Sequence, residues 1–229
     1  MTVAHLHVLR VFVGPDGRGG NPLGVFLDPP PLDDADMQAV AADLGFSETV
    51  FVGDREAARL RIFTPAVELP LAGHPLVGTA WLLHREGPAP AVLRPPAGEV
   101  PTWQDAGLTW IRARPADAPE FDLVELGSAA EVEKLSAAPD GGGRTVAWAW
   151  DDEGAGTMRV RAFLPELGVP EDEATGSAAL RLCALVGRAV EIHQGTESRI
   201  SARPADGGTV DLGGRVEPVE EREYRRPGG

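Results

Sequence analysis

Apolar positions alternate with polar ones from Val3 to Val13, which predicts a strand. The glycine-rich GPDGRGGNPLG that follows predicts a turn, and Val25-Phe26-Leu27 resumes extended structure. The period then changes. Met37, Val40, Ala41 and Leu44 recur at helical spacing, with Asp33 or Asp34 placed to cap the start and Gly45 to end it. A β-rich run through Val50-Phe51-Val52 and a strand at 60–64 lead into a helix carrying Leu76, Val77, Ala80, Trp81 and Leu83. Short β-like runs fill 92–114, and the proline- and alanine-rich RPADAP at 114–119 reads as a linker. Beyond it the pattern predicts strands near 121–126, 145–150 and 157–164, a short helix near 131–137, and a flexible segment at 139–143. An acidic loop at 166–173 precedes a helix with Ala178, Ala179, Leu182, Leu185 and Val186 at core spacing. Further β-like runs are expected at 189–193, 198–202, 209–212 and 216–219, and the charged segment 220–229 is expected to be a frayed tail.

Within this pattern one unit occurs twice. RIFTPAVELPLAGHPLVGT from Arg61 and RAFLPELGVPEDEATGSAAL from Arg161 both open as a strand reading Arg-x-Phe-x-Pro. Both pass through a short acidic loop into a helix, at Gly-His-Pro in one and Thr-Gly-Ser in the other. The repeat predicts two halves, 1–113 and 114–219. A helix N-terminus carries unpaired N–H groups and partial positive charge, so two such ends brought face to face would make a carboxylate-binding cleft.

Composition narrows the chemistry. The 229 residues include 21 basic and 35 acidic side chains, a net charge of −14 that argues against nucleic acid or anionic membrane as a standing partner. Lys134 is the one lysine against 20 arginines, as a GC-rich genome would encode. With no basic leader in MTVAHLHVLRVFV and no apolar run near the roughly 18 to 20 residues of a membrane span, the expectation is a soluble, cytoplasmic protein. Cys183 stands alone, mid-helix, and excludes an internal disulfide or a catalytic cysteine pair. His5 and His7 share a strand face, but without nearby carboxylates they read as ordinary strand residues, and no metal is expected.

Four positions could carry chemistry. Glu48 stands between a helix end and a β-rich run, either as a partly desolvated carboxyl of raised proton affinity or as an exposed strand-edge residue. His74, at a helix mouth, is a proton carrier, a neutral hydrogen-bond donor to a bound acid, or structural. Asp172 precedes its helix by about the spacing of Gly73-His74 from theirs, whereas Glu171 and Glu173 read as complements to a helix dipole. Asn21, in Gly20-Asn21-Pro22, serves either turn geometry or the site; no phosphate-binding loop is present there, since no Gly-Lys-Ser/Thr follows.

Gly20-Asn21-Pro22, Ser47-Glu48-Thr49, Phe63-Thr64-Pro65 with Gly73-His74-Pro75, the Glu171-Asp172-x-Ala-Thr-Gly-Ser-Ala run and Gln194-Gly195 occur in this order over nearly the whole chain. Together they resemble the phenazine-biosynthesis PhzF-like family, which shares the diaminopimelate epimerase fold. The resemblance implies an α+β fold of two similar halves, each a curled, mostly antiparallel sheet around a central helix, with the site between them. It implies Glu48 as the proton-transfer acid, with His74 and Asp172 as partners that hold or protonate the substrate. Asn21, Ser47, Gly73, Gly176 and Ser177 become the substrate-binding positions by the same resemblance. The two-cysteine chemistry of the epimerases on this fold is unavailable to a chain with one cysteine. A homodimeric, cofactor-independent isomerase acting on a small carboxylate-bearing metabolite is implied, with secondary metabolism as its setting. An amino-acid epimerase or racemase and a catalytically silent binding protein of the same fold are the alternatives.

Overall fold

The computed structural model describes residues 3–139 and 143–225. In chain order the strands and helices are β1 (Val3–Val13), β2 (Asn21–Leu27), α1 (Asp34–Leu44), β3 (Glu48–Asp54), β4 (Arg59–Phe63), β5 (Glu68–Leu69), α2 (Gly73–Glu86), β6 (Val92–Leu93), β7 (Val100–Asp105) and β8 (Leu108–Ala113). They continue as β9 (Asp122–Glu125), α3 (Ala129–Glu133), β10 (Thr145–Asp152), β11 (Thr157–Leu164), β12 (Val169–Asp172), α4 (Gly176–Val186), β13 (Val190–Gln194), β14 (Ser198–Pro204) and β15 (Val210–Arg225). The fold is α+β, with most strand pairs antiparallel and β2–β3, β9–β10 and β11–β13 parallel. No helix among the described residues is long and apolar enough to cross a membrane.

Local signals set the helix ends. Asp33 caps α1 by accepting from the Asp36 N–H at 2.8 Å, and Gly45 ends it with φ of 67°. Pro75 lies in the first turn of α2, where a missing N–H costs nothing. Both α2 and α4 are buried over most of their length and contribute to one continuous core, in which Leu76 and Val77 join Ala178 and Leu180. A smaller apolar cluster lies under α1, with Phe26 stacked on Phe51 at 5.1 Å.

The same succession of pairings occurs twice. β2 lies parallel to β3, which pairs antiparallel with β4 and it with β5, before α2; β9 lies parallel to β10, which pairs with β11 and it with β12, before α4. The repeated Arg-x-Phe does one job in both places. Arg61 forks onto Glu68 with its guanidinium 5.1 Å from the Phe63 ring, and Arg161 forks onto Glu171 with its own 5.0 Å from Phe163.

Three expectations need correction. Asn21 is not in the turn but opens β2, opposite Val11, because the positive-φ glycines Gly17, Gly19 and Gly20 make the turn. Part of the acidic loop is strand β12. The runs at 209–212 and 216–219 and the first six residues of the charged tail are one strand: β15 lies between β14 and β8 at its start, then runs along β1 to Arg225. Residues 220–225 are thereby ordered; 226–229 of the expected tail, and 140–142 of the expected flexible segment, lie outside the described residues.

Tyr224 anchors that last stretch. It is buried against the edge of Phe26, and its hydroxyl donates to Asp43 Oδ2 at 2.6 Å. Tyr224→Ala is expected to cost about 3 kcal/mol in urea unfolding. Val219→Ala, at a side chain that faces solvent in the same strand, should stay within about 0.5 kcal/mol of wild type; equal effects would mean that the end of β15 contributes nothing to the fold.

Candidate active site

Helices α2 and α4 meet at their N-termini. A Cβ placed on Gly73 would lie 2.6 Å from the carbonyl carbon of Gly176, and one on Gly176 would lie 2.8 Å from the His74 nitrogen. Neither glycine has a positive φ, so close backbone approach is the reason for both. Neither N-cap residue, Ala72 or Thr175, makes a side-chain hydrogen bond to the first turn of its helix. Two uncapped helix ends thus converge, which favours an anion.

Three ionisable side chains and one amide gather at this junction. Glu48 begins β3, His74 is the second residue of α2, and Asp172 ends β12. His74 Nε2 lies 3.4 Å from Glu48 Oε2, and neither atom has a hydrogen-bond partner although both are buried. Asn21 ties the rest together: its Nδ2 donates to Asp172 Oδ1 at 2.7 Å and to the Ala174 carbonyl at 2.9 Å, 3.4 Å from His74 Nδ1, and its Oδ1 accepts from Ser47 Oγ at 2.7 Å. Thr175 Oγ1 donates to Asp172 Oδ2 at 2.7 Å, so both oxygens of Asp172 are occupied. Gly176 and Ser177, both buried, form the first turn of α4 beside it.

Burial sets the proton affinities. Loss of hydration pushes the Glu48 carboxyl well above its ordinary value, and the nearby Asp172 adds to this. Asp172 is raised to about 6, also by burial, against the opposing pull of its hydrogen bonds with Thr175, Asn21 and Ser47. Burial pushes His74 down to about 3, opposed by a hydrogen bond to the Pro22 backbone; proline offers only a carbonyl there, so the neutral imidazole is the donor. Near neutral pH the site therefore holds a neutral imidazole beside a carboxyl group that binds its proton more tightly than an ordinary glutamate does.

A raised carboxyl destabilises the fold as pH climbs. Glu48 ionises more readily in the unfolded chain, so its contribution is most favourable below its ordinary value of 4.5 and is lost as pH rises toward its elevated folded value. Glu48→Gln should therefore raise the thermal midpoint at pH 8, and the difference from wild type should vanish near pH 4. A variant less stable than wild type at pH 8 would show that the ionised group is favourably bound.

All eight residues expected at the site lie at or beside this junction: Glu48, His74, Asp172, Asn21, Ser47, Gly73, Gly176 and Ser177. Two others belong to it without having been singled out. Gln194 donates from Nε2 to the Asp172 carbonyl and to Thr175 Oγ1, each at 2.8 Å, while its Oε1 accepts from the Thr175 N–H at 3.0 Å. Gln194 and Thr175 thus fix the backbone that carries Asp172. The sequence signal for them was the Gln-Gly pair ending a strand and the Thr before Gly-Ser. Glu171 serves Arg161, and Glu173 accepts from the Thr196 N–H and Ser198 Oγ at 2.9 Å, so neither acts as a dipole complement. Cys183 is buried within α4, with its thiol pushed up to about 11 and in contact with the Arg188 carbonyl, which suits a packing residue.

Comparison with known proteins identifies the family. The family model described as phenazine biosynthesis-like protein matches residues 15–141. A trans-2,3-dihydro-3-hydroxyanthranilate isomerase from Pseudomonas aeruginosa is 35% identical, over 88% of this chain and 89% of its own length. The Pseudomonas fluorescens protein of the same name is 36% identical, over 78% of this chain and 81% of its own. Among solved structures, a PhzF-family phenazine biosynthesis protein from Enterococcus faecalis superimposes with a TM-score of 0.77 at 19% identity, covering 98% of this chain and all of the other. At that identity the likeness is one of fold. A structure from Pseudomonas aeruginosa described as a predicted epimerase matches with a TM-score of 0.69 at 26% identity, over 96% and 99% of the two chains. The chain belongs to the PhzF-like family of phenazine biosynthesis-like proteins and is homologous to its isomerases.

Proposed function

We propose that the protein moves a proton within a small unsaturated carboxylate, with Glu48 as the acid and base that carries it. The observation behind this is the buried, unpartnered pair Glu48 Oε2 and His74 Nε2, 3.4 Å apart beside two uncapped helix ends. An unsatisfied carboxyl costs stability, and a scaffold with no substrate has no reason to keep one. In this reading the helix ends at Gly73 and at Gly176-Ser177 hold the substrate carboxylate and stabilise charge that spreads into it. Glu48 removes a proton from the activated carbon and returns it to another position of the same conjugated system. His74 stays neutral and holds or protonates the substrate; Asn21 and Ser47 align Asp172 and the substrate. No cofactor enters this scheme, because a carboxyl of raised proton affinity is itself the carrier.

An epimerase needs acids on both faces of one carbon. Asp172 is the second candidate, but each of its oxygens already accepts a hydrogen bond, whereas Glu48 Oε2 accepts none. That difference favours the single-acid shift. The substrate we infer is trans-2,3-dihydro-3-hydroxyanthranilate or a close analogue, the compound in the relatives' name.

The duplicated pairings support two similar halves, 1–113 and 114–219, each with its sheet curled around α2 or α4 and the site between them, the end of β15 returning to the first half. A homodimer in the cytoplasm goes with the reading. Product analysis tests it. Incubation with the dihydro-hydroxyanthranilate should give a ring isomer by NMR, and incubation with L-amino acids should leave them unchanged on a chiral column. Appearance of D-amino acids would favour the epimerase, and no conversion of either would remove the proposed substrate.

A further inference from the structure

The sequence holds no carboxylate close to His5 and His7; the fold supplies one. Both side chains leave the same face of β1, two residues apart, and the antiparallel register of β15 sets Glu221 directly opposite His7 and Glu223 opposite His5. The Glu221 carboxylate forks between the two rings, with Oε1 3.0 Å from His5 Nδ1 and Oε2 3.9 Å from His7 Nδ1. One potential ligand atom from each of the three residues lies within 4.8 Å of the other two.

The competition for this carboxylate is weak. Arg222 pairs with Glu220 and Arg225 with Glu223, while Glu221 has ion pairs only with the two histidines among the described residues. His7 also feels Glu86 at the end of α2 and Arg55, and Arg55 is engaged with Asp28. The surroundings are thus balanced or negative, as a cation requires. His7 is held by burial, whereas the His5 and Glu221 side chains are more than half exposed and free to adjust. Side-chain rotation at the exposed His5 and Glu221 can draw the three donors in toward the roughly 2.0–2.2 Å of Zn–N and Zn–O bonds.

We infer that His5, His7 and Glu221 form a binding site for a zinc-like divalent cation, a His-x-His strand face completed by a carboxylate from the neighbouring strand. Two imidazoles and one carboxylate are the borderline donors that such an ion prefers over magnesium or calcium. Water fills the remaining coordination. The site shares no residue with the junction of α2 and α4, and its consequence is structural: it ties the first strand of the chain to the last. Closing so long a loop makes metal binding a contribution to folding.

The test is zinc binding to untagged, chelator-treated full-length protein, followed by equilibrium dialysis and by the thermal midpoint. One zinc per chain is expected, with a midpoint that rises as zinc is added. His5→Ala and Glu221→Gln should each weaken binding at least about tenfold, the loss of one of three ligands. Both positions are exposed, so the metal-free variants should unfold close to metal-free wild type, which separates a lost ligand from a damaged fold. Non-saturable uptake by wild type, or equal uptake by wild type and both variants, would overturn the site. If either variant proves unstable without metal, His5→Asn, which keeps a polar side chain of similar reach, takes its place with the same two readings.

Discussion

Glu48→Gln should reduce turnover by about 10²- to 10⁴-fold, the range for losing a positioned general acid or base. The amide keeps the shape of the carboxyl but cannot take a proton from carbon. Substrate binding should change little, because in the proposed scheme the helix ends and not Glu48 hold the carboxylate. The same substitution should stabilise the fold at pH 8, since it removes a carboxyl whose ionisation burial opposes. Loss of rate with gain of stability is the signature of a group kept for chemistry. Activity and KM measured beside thermal unfolding check both halves; a variant that loses stability and rate together would point to a structural glutamate.

Gly73→Ala and Gly176→Ala should each damage the site as a whole. A new methyl on Gly73 would meet the Gly176 backbone at 2.6 Å and the Leu212 side chain at 2.7 Å, and one on Gly176 would meet the His74 backbone nitrogen at 2.8 Å, so even if Leu212 swings away the clash with the opposing helix backbone remains. The helix ends would have to part. Overpacking of this kind costs about 1–3 kcal/mol, and a displacement near 1 Å at a catalytic centre costs on the order of 10²-fold in rate. Gly53→Ala is the matched control, with nothing within 4 Å of its added carbon. It should be silent in unfolding and in activity. If the two helix-end variants were equally silent, the contact between α2 and α4 would not govern the site.

Much of this was legible in the sequence because the signals are local. Asp33 and Gly45 bracket α1 through their own caps, Pro75 marks a first turn, and the Arg-x-Phe strands announce themselves twice. The repeat marks two helix mouths that would bind a carboxylate if they met, and the resemblance to a known family is what implies Gly73 and Gly176 at one site between the halves. What was missed depends on partners distant in sequence. Residues 220–225 are dense in charge and read as a tail, yet β1 needs a neighbour and Tyr224 finds Phe26. Asn21 reads as a turn residue because it follows Gly19 and Gly20, and only the pairing with Val11 shows it to be in a strand that aims its amide at Asp172. The Gln194-Gly195 pair marks a strand end and a block of the resemblance, but the three hydrogen bonds that make Gln194 a support of the site exist only once α4 is placed beside it.

The central claim is that Glu48 carries a proton between two carbons of one substrate. Following trans-2,3-dihydro-3-hydroxyanthranilate by NMR in deuterated water, with wild type and Glu48→Gln side by side, addresses it most directly. Wild type is expected to give the ring isomer, with deuterium at the newly protonated carbon to the extent that the proton on Glu48 exchanges with solvent before it is returned. The variant should give none on the same timescale. Deuterium entering only at a carbon whose configuration inverts, or equal incorporation by the two proteins, would contradict the account.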